Sequence, residues 1–290
     1  MKRILITGAN SYVGTNVERW LMREPDKYQV DTLDMIDGSW REKDFSGYDV
    51  VFHVAAIVHI HEKRKDLYYQ VNRDLVVEVA KKAKTEKVLQ FVFLSTMGVY
   101  GLEEGEITDR TNPNPKTHYA KAKYAAEVQL RELSDEAFRV AILRPPLVYG
   151  PSCKGNYIRL ARFAKKSPFI PKVDNQRSMI YIDNLSEFIR WIIRFNAAGL
   201  YFPQNSNYVN TTEALSLIAN MNGKQKTILN HVSIPIHILS MFLPVLRKAF
   251  GSCTYDMKML GGPKSFDDGF SYETCSFSDS IMYSEKGYNI

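Results

Sequence analysis

Arg3-Ile4-Leu5-Ile6-Thr7-Gly8-Ala9-Asn10-Ser11-Tyr12-Val13-Gly14 is the run whose reading decides the fold. Five residues of the buried-strand type lead into a turn bounded by glycines, and a helix is predicted over about 14–22. A strand, a glycine turn and a helix N-terminus in that order suit a dinucleotide. Glycine lets the backbone approach a pyrophosphate, and the helix start favours its negative charge. Ser11 stands where a third glycine would be usual, and an ordinary strand-to-helix connection is the alternative reading.

Working outward, further strands are predicted at 30–34, 49–56, 89–95 and 140–143, with helices over 68–84 and around Tyr119. Strand and helix alternate, which implies an α/β fold with a parallel sheet covered on both faces. Beyond Arg144 the rhythm breaks at Pro145, Pro146, Gly150 and Pro151. Asp183 and Asn184 are expected to cap a helix reaching about Phe195, followed by a strand at Tyr201-Phe202. A helix over 212–221 is predicted next, in a region read otherwise as helices and irregular segments.

Asp34 ends the second strand, twenty residues after Gly14. A carboxylate there accepts from an adenosine ribose and repels a 2′-phosphate, so NAD is expected ahead of NADP. The alternative is a plain turn aspartate. Tyr119 and Lys123 lie one helical turn apart in His-Tyr-Ala-Lys-Ala-Lys and share a face. An ammonium beside a phenol favours the phenolate, so the pair is expected to exchange a proton during oxidation of an alcohol or reduction of a ketone.

The bulk composition is that of a globular chain: 290 residues, 45% hydrophobic and 24% charged, enough for a sizeable core. The net charge of +6 suits an anionic substrate. Nucleic acid is set aside because the positives are dispersed, the densest groups being Lys63-Arg64-Lys65 and Lys81-Lys82-Ala83-Lys84. Cys153, Cys253 and Cys275 lack metal-ligand spacing and read as reduced thiols. Met1-Lys2-Arg3 runs straight into the first strand, so no signal peptide and a cytoplasmic location are expected. The apolar stretch 234–246 is short and holds Pro235, His237 and Pro244, so no membrane span is expected there.

Taken together, the chain resembles the extended short-chain dehydrogenase/reductase superfamily, and within it the NAD-dependent epimerase/dehydratase family acting on nucleotide sugars. The resemblance rests on the Gly8 to Gly14 turn, Val54-Ala55-Ala56, Asn72, Leu94-Ser95-Thr96-Met97-Gly98-Val99-Tyr100-Gly101, Tyr119/Lys123, Arg144-Pro145-Pro146-Leu147-Val148-Tyr149-Gly150-Pro151 and the run from Arg177 to Asp183. It implies a Rossmann-like, doubly wound dinucleotide domain over 1–150, with 176–203 returning to it. A smaller C-terminal α/β domain over 151–175 and 204–290 would take the nucleotide sugar. A homodimer formed through the helices bearing Lys81 and Tyr119 is a further implication.

Residue by residue, Thr96 resembles the hydroxyl that holds the reacting sugar oxygen, a strand-end cap being the alternative. Tyr119 resembles the acid/base, and Lys123 the residue that binds the nicotinamide ribose and lowers the tyrosine pKa. Gly8, Ser11, Tyr12, Val13 and Gly14 match the pyrophosphate turn. Ala55, Ala56, Asn72 and Pro146 match the cofactor wall. Ser39-Trp40 falls where the family places an Asp and an aliphatic residue against adenine, so Trp40 either stacks on that ring or packs in the core. Asn156 and Arg177 resemble the substrate-diphosphate contacts, a surface ion pair being the alternative for Arg177. His59 and His61 are read as solvent-exposed or sugar-contacting.

Met97-Gly98 follows Thr96 where sugar 4,6-dehydratases carry an Asp-Glu pair, which argues against dehydration. The surroundings of Arg144-Pro145-Pro146, of Cys153 to Asn156 and of Asp174 to Met179 resemble the capsule and O-antigen branch. They imply reduction of a UDP-4-keto-(6-deoxy)-N-acetylhexosamine at C4 first, and a UDP-sugar 4-epimerase as the alternative. A dinucleotide-binding sensor or scaffold without catalysis is a remote third reading.

Overall fold

The structure is a computed structural model, and it describes residues 1–58, 64–230, 250–259 and 271–287. Its centre is a six-stranded, all-parallel sheet formed by β1 (Lys2–Thr7), β2 (Tyr28–Leu33), β3 (Val50–His53), β4 (Gln90–Leu94), β6 (Arg139–Leu143) and β10 (Gly199–Tyr201). The spatial order is β2-β1-β3-β4-β6-β10. The doubly wound α/β sheet read from the sequence is therefore present.

Side-chain alternation on each strand feeds two cores. Ile4, Ile6, Phe52 and Val92 face α1 (Tyr12–Leu21) and α6 (Ile182–Arg194), which supply Val17, Leu21, Leu185, Ile189 and Ile192. Leu5, Val51, Phe91 and Phe93 face the opposite way. They meet Val76, Val79 and Ala83 of α3 (Leu75–Thr85) and Ala126 and Leu130 of α4 (His118–Leu133). Near-continuous apolar runs in the strands follow from this two-sided burial.

Several predicted elements differ in detail. The helix expected over 68–84 is three pieces: α2 (Lys65–Tyr69), a π-helical turn (Gln70–Asp74) and α3. Such turns concentrate at functional sites, and this one carries the buried Asn72. Asp183 and Asn184 do not cap α6. The cap position is Tyr181, with no side-chain cap bond, and both residues lie inside the first turn. Tertiary partners claim them: Asp183 pairs with Arg19 at 3.0 Å, and Asn184 accepts from Thr274. The region beyond Pro203 also contributes two short strands, β11 (Thr227–Leu229) and β12 (Cys253–Tyr255). They pair with β8 (Phe169–Pro171) and β5 (Gly105–Ile107).

A third core lies beside the sheet's carboxyl edge. It joins β7 (Leu147–Tyr149) and its partner β9 (Met179–Tyr181) to α5 (Asn156–Lys166), α7 (Thr211–Met221) and α8 (Phe277–Lys286). Stretch 234–246 and the pair His59/His61 lie outside the described residues.

Candidate functional site

In an open parallel sheet, ligands sit beyond the carboxyl ends of the strands, and there the sequence motifs converge. Gly8 follows β1, Asp34 follows β2, Ala55 and Ala56 follow β3, Thr96 follows β4, and Pro146 follows β6. Backbone bonds stitch these ends together. Gly8 N donates to Leu33 O at 2.8 Å, Ala55 N to Thr7 O at 3.1 Å, Ser95 N to Leu143 O at 2.7 Å, and Met97 N to Pro145 O at 2.9 Å.

The glycine turn is shaped for close approach. Gly8 has φ +100°, and a Cβ added there would lie 2.8 Å from the backbone N of Ala55. The turn thus rests directly on the small residues after β3. Ser11, in place of a glycine, caps α1 by accepting from Gly14 N at 3.2 Å, so the departure is a helix-capping solution. The N-terminus of α1 with its dipole, the Gly8 cradle and the Ala55-Ala56 wall together fit a dinucleotide pyrophosphate. Gly8→Ala is expected to weaken NADH binding tenfold or more. Forcing a side chain into this backbone region costs roughly 1–3 kcal/mol, and about 1.4 kcal/mol is tenfold in affinity. A fluorescence titration with NADH checks this.

Around the adenosine end, Asp34 is exposed and its Oδ1 accepts from Ile36 N at 2.9 Å. Ser39 is exposed and tied to Asp37, while Trp40 is 1% exposed within the core shared with Leu5 and Phe45. Of the two readings for Trp40, core packing is what is observed; Arg41 lies over its ring at 4.5 Å. Asn72 is fully buried. Its amide bonds both the N–H and the C=O of Ile57, each at 2.9 Å, and so fixes the loop leaving β3.

The reactive side chains ride on α4, which Thr117 caps by accepting from Ala120 N. Lys123 is 1% exposed, and its Nζ donates to Leu94 O at 2.9 Å, two residues before Thr96. Thr96 Oγ1 accepts from Gly98 N at 3.1 Å. A Cβ on Gly98 would lie 3.3 Å from that oxygen and 3.9 Å from Ala120 Cβ, so the threonine loop and the start of α4 adjoin across a glycine. The expected lowering of the phenol is not what this structure has. Burial pushes Tyr119 up to about 12. Burial also pulls Lys123 down to about 7, against the opposing pull of Glu127. The reason is desolvation, which disfavours the charged form of each group, most completely at Lys123, while the lysine's hydrogen bond goes to the Leu94 carbonyl.

That depression predicts a stability effect. The ordinary value is 10.5, so between about 7 and 10.5 the unfolded chain holds a proton that the folded chain has released. Stability therefore rises with pH across that window, and the cost is fully present below it. Lys123→Met is expected to stabilise the fold by the order of a few kcal/mol at about pH 6.5, with little gain at about pH 10. Urea denaturation at the two pH values measures it.

Sequence reading missed the groups beneath. Glu127, one turn beyond Lys123, is fully buried. It accepts from Ser95 Oγ and from Arg144 Nε at 3.0 Å, and it also pairs with Arg144 Nη2. Arg144, 2% exposed, donates from Nη1 to Tyr100 OH at 2.8 Å. The spacing Tyr119, Lys123, Glu127 along one helix face was the available signal. His53, also fully buried, holds Nδ1 2.8 Å from Thr7 Oγ1, and burial, reinforced by the Lys123 charge, pushes it down to about 3.

On the substrate side, Asn156 is exposed at the start of α5, after Gly155 with φ +96°. Arg177 forms backbone bridges to Val209 and Cys253, and its Nη1 donates to Gly251 O at 2.8 Å. Burial lowers its pKa, and among the described residues no carboxylate pairs with it. The surface ion pair is therefore not the observed state. No described contact joins Asn156 to Arg177.

A sequence profile described as the NAD dependent epimerase/dehydratase family matches residues 4–202. A UDP-glucose 4-epimerase of Vibrio cholerae is 30% identical over 248 residues, covering 75% of this chain and 75% of that protein. An N-acetyl-alpha-D-glucosaminyl-diphospho-ditrans,octacis-undecaprenol 4-epimerase of Escherichia coli O157:H7 is 28% identical, covering 89% of this chain and 77% of that protein. Among solved structures, a UDP-glucuronic acid 4-epimerase of Bacillus cereus in complex with NAD superposes with a TM-score of 0.74 at 18% identity, over 98% of this chain and 96% of that one. A dTDP-4-dehydrorhamnose reductase of Bacillus anthracis in complex with NADP gives 0.70 at 22% identity, over 98% of each chain. These two structures share the fold. The chain belongs to the NAD dependent epimerase/dehydratase family.

Proposed function

We propose that this member of the NAD dependent epimerase/dehydratase family moves hydride at C4 of a UDP-linked N-acetylhexosamine, first as a 4-epimerase. The observation that carries the C4 chemistry is the α4 face on which Tyr119 and Lys123 stand, anchored through the Lys123–Leu94 bond to the strand that ends in Thr96. The Gly8 to Gly14 turn, Asp34, the Ala55-Ala56 wall and Lys123 would hold NAD, which would supply the hydride acceptor there. Oxidation requires Tyr119 as the phenolate, the form that a bound nicotinamide cation beside Lys123 would favour over its resting phenol; it would then take the C4 hydroxyl proton and return to the neutral phenol as the sugar becomes the 4-ketone. Thr96 holds the same oxygen throughout. With the sugar turned over and hydride restored to its other face, Tyr119 would give the proton back to the same oxygen, and the product would be the C4 epimer.

The two curated 4-epimerases support epimerisation, and the exposed Asp34 suits a retained NAD. Met97-Gly98 offers no acid-base pair for dehydration. The second reading is reduction of a UDP-4-keto-(6-deoxy)-N-acetylhexosamine. It is favoured by Tyr119 standing as a neutral phenol at ordinary pH, ready to donate to a ketone.

The test incubates purified protein and NAD with UDP-N-acetylglucosamine, and in parallel with N-acetylglucosamine on a polyprenyl diphosphate, the carrier named for the Escherichia coli relative. Conversion to the galacto isomer without net NADH change is the expected result, and the arm that reacts identifies the carrier. Stoichiometric NADH or NADPH oxidation by UDP-4-keto-6-deoxy-N-acetylglucosamine makes the chain a reductase. Reaction in neither assay overturns C4 chemistry and leaves a binding protein.

A further inference from the structure

We propose that the outer face of α5, with the adjoining β8–β11 ribbon, docks on an anionic lipid bilayer. The helix has no acidic residue: Asn156-Tyr157-Ile158-Arg159-Leu160-Ala161-Arg162-Phe163-Ala164-Lys165-Lys166. Tyr157, Ala161 and Ala164 turn into the third core. At 100° per residue, Ile158, Arg162, Lys166, Arg159 and Phe163 follow one another across an outward arc of roughly 140°. All five are exposed.

Glu285, the carboxylate beside the helix, has a side chain only 3% exposed and is held by Lys165 at 2.6 Å. Among the described residues no carboxylate pairs with Arg159, Arg162 or Lys166. The C-terminal end of α5 continues into the ribbon, where Lys224 Nζ donates to Lys165 O at 2.8 Å. Lys172 and Lys224 extend the positive field there, and both are exposed.

Apolar side chains lie at the margins of that field. Ile158 is 39% exposed, Phe163 38% and Phe169, on the outer face of the ribbon, 41%. A nucleic-acid backbone would satisfy the charges and leave these side chains in water. An anionic bilayer satisfies both: headgroups meet the guanidinium and ammonium groups, and the apolar side chains reach the acyl boundary. Asn156 opens the same helix, so docking brings that end of the candidate site to the bilayer surface. This surface stands independently of the reaction proposed above.

Co-sedimentation with extruded vesicles tests it, using equal parts phosphatidylglycerol and phosphatidylcholine against phosphatidylcholine alone. The protein is expected to pellet with the first and not the second, and to be released by added salt. The triple substitution Arg159→Glu, Arg162→Glu, Lys166→Glu is expected to weaken retention by at least about tenfold, with thermal midpoint and NADH binding unchanged. Separately, Phe163→Trp is expected to shift its emission to the blue on phosphatidylglycerol vesicles; this readout decides the matter should the triple variant fail to fold. Equal behaviour on the two vesicle types, full retention of a folded triple variant, an unmoved Phe163→Trp emission, or capture by polyadenylate in place of vesicles would each overturn the proposal.

Discussion

Tyr119→Phe is expected to lower turnover by about 10²–10⁴-fold, the range for losing a positioned acid-base group, while NADH affinity stays near that of the wild type. The phenylalanine ring keeps the packing at the start of α4 and removes only the hydroxyl. The cradle proposed for the dinucleotide is built from the Gly8 turn and the Ala55 wall, on other strands. Turnover of UDP-N-acetylglucosamine and an NADH fluorescence titration separate the two quantities. A variant that keeps its turnover would rule out Tyr119 as the proton carrier. One that loses cofactor binding in proportion would make it a binding residue.

Glu127→Ala is expected to destabilise the fold by about 3–5 kcal/mol, because it leaves Arg144 charged and buried without its partner. At roughly 2–4 °C per kcal/mol for chains of this size, the thermal midpoint falls by roughly 10 °C. Ser95 and Arg131 lose an acceptor in the same change. The double substitution Glu127→Leu, Arg144→Met is expected to recover much of the loss, since removing both charges removes the desolvation cost. Thermal and urea melts of Glu127→Leu, Arg144→Met and the double variant complete the cycle. Equal additive losses would mean that the pair does not act as a unit.

The network around Glu127 also shows why part of the site was hidden in the chain. Arg144 appeared in the sequence only as the start of a proline run, and Glu127 as one more helical glutamate. Their pairing joins α4 to the end of β6, seventeen residues apart. Spacing along one helix registers Tyr119, Lys123 and Glu127 as a stripe. It does not register that the last of them meets an arginine from a neighbouring strand. The same holds for Trp40, whose burial depends on Leu5 and Phe45 closing over it. Asp183, too, had the chemistry of a cap and was drawn instead to Arg19 on α1.

What the sequence determined by itself was whatever is written in local periodicity and in backbone-demanding residues. Alternating buried-type strands and amphipathic helices dictated a parallel sheet with two covered faces. The Gly8 turn after the first strand marked the edge where a dinucleotide belongs, because only glycine takes that backbone so near a neighbouring strand. The tertiary structure alone decided the protonation landscape: Tyr119 pushed up to about 12 and Lys123 down to about 7. Those values come from desolvation, opposed at Lys123 by the Glu127 charge. Both depend on what packs around α4 in three dimensions, which no one-dimensional spacing carries.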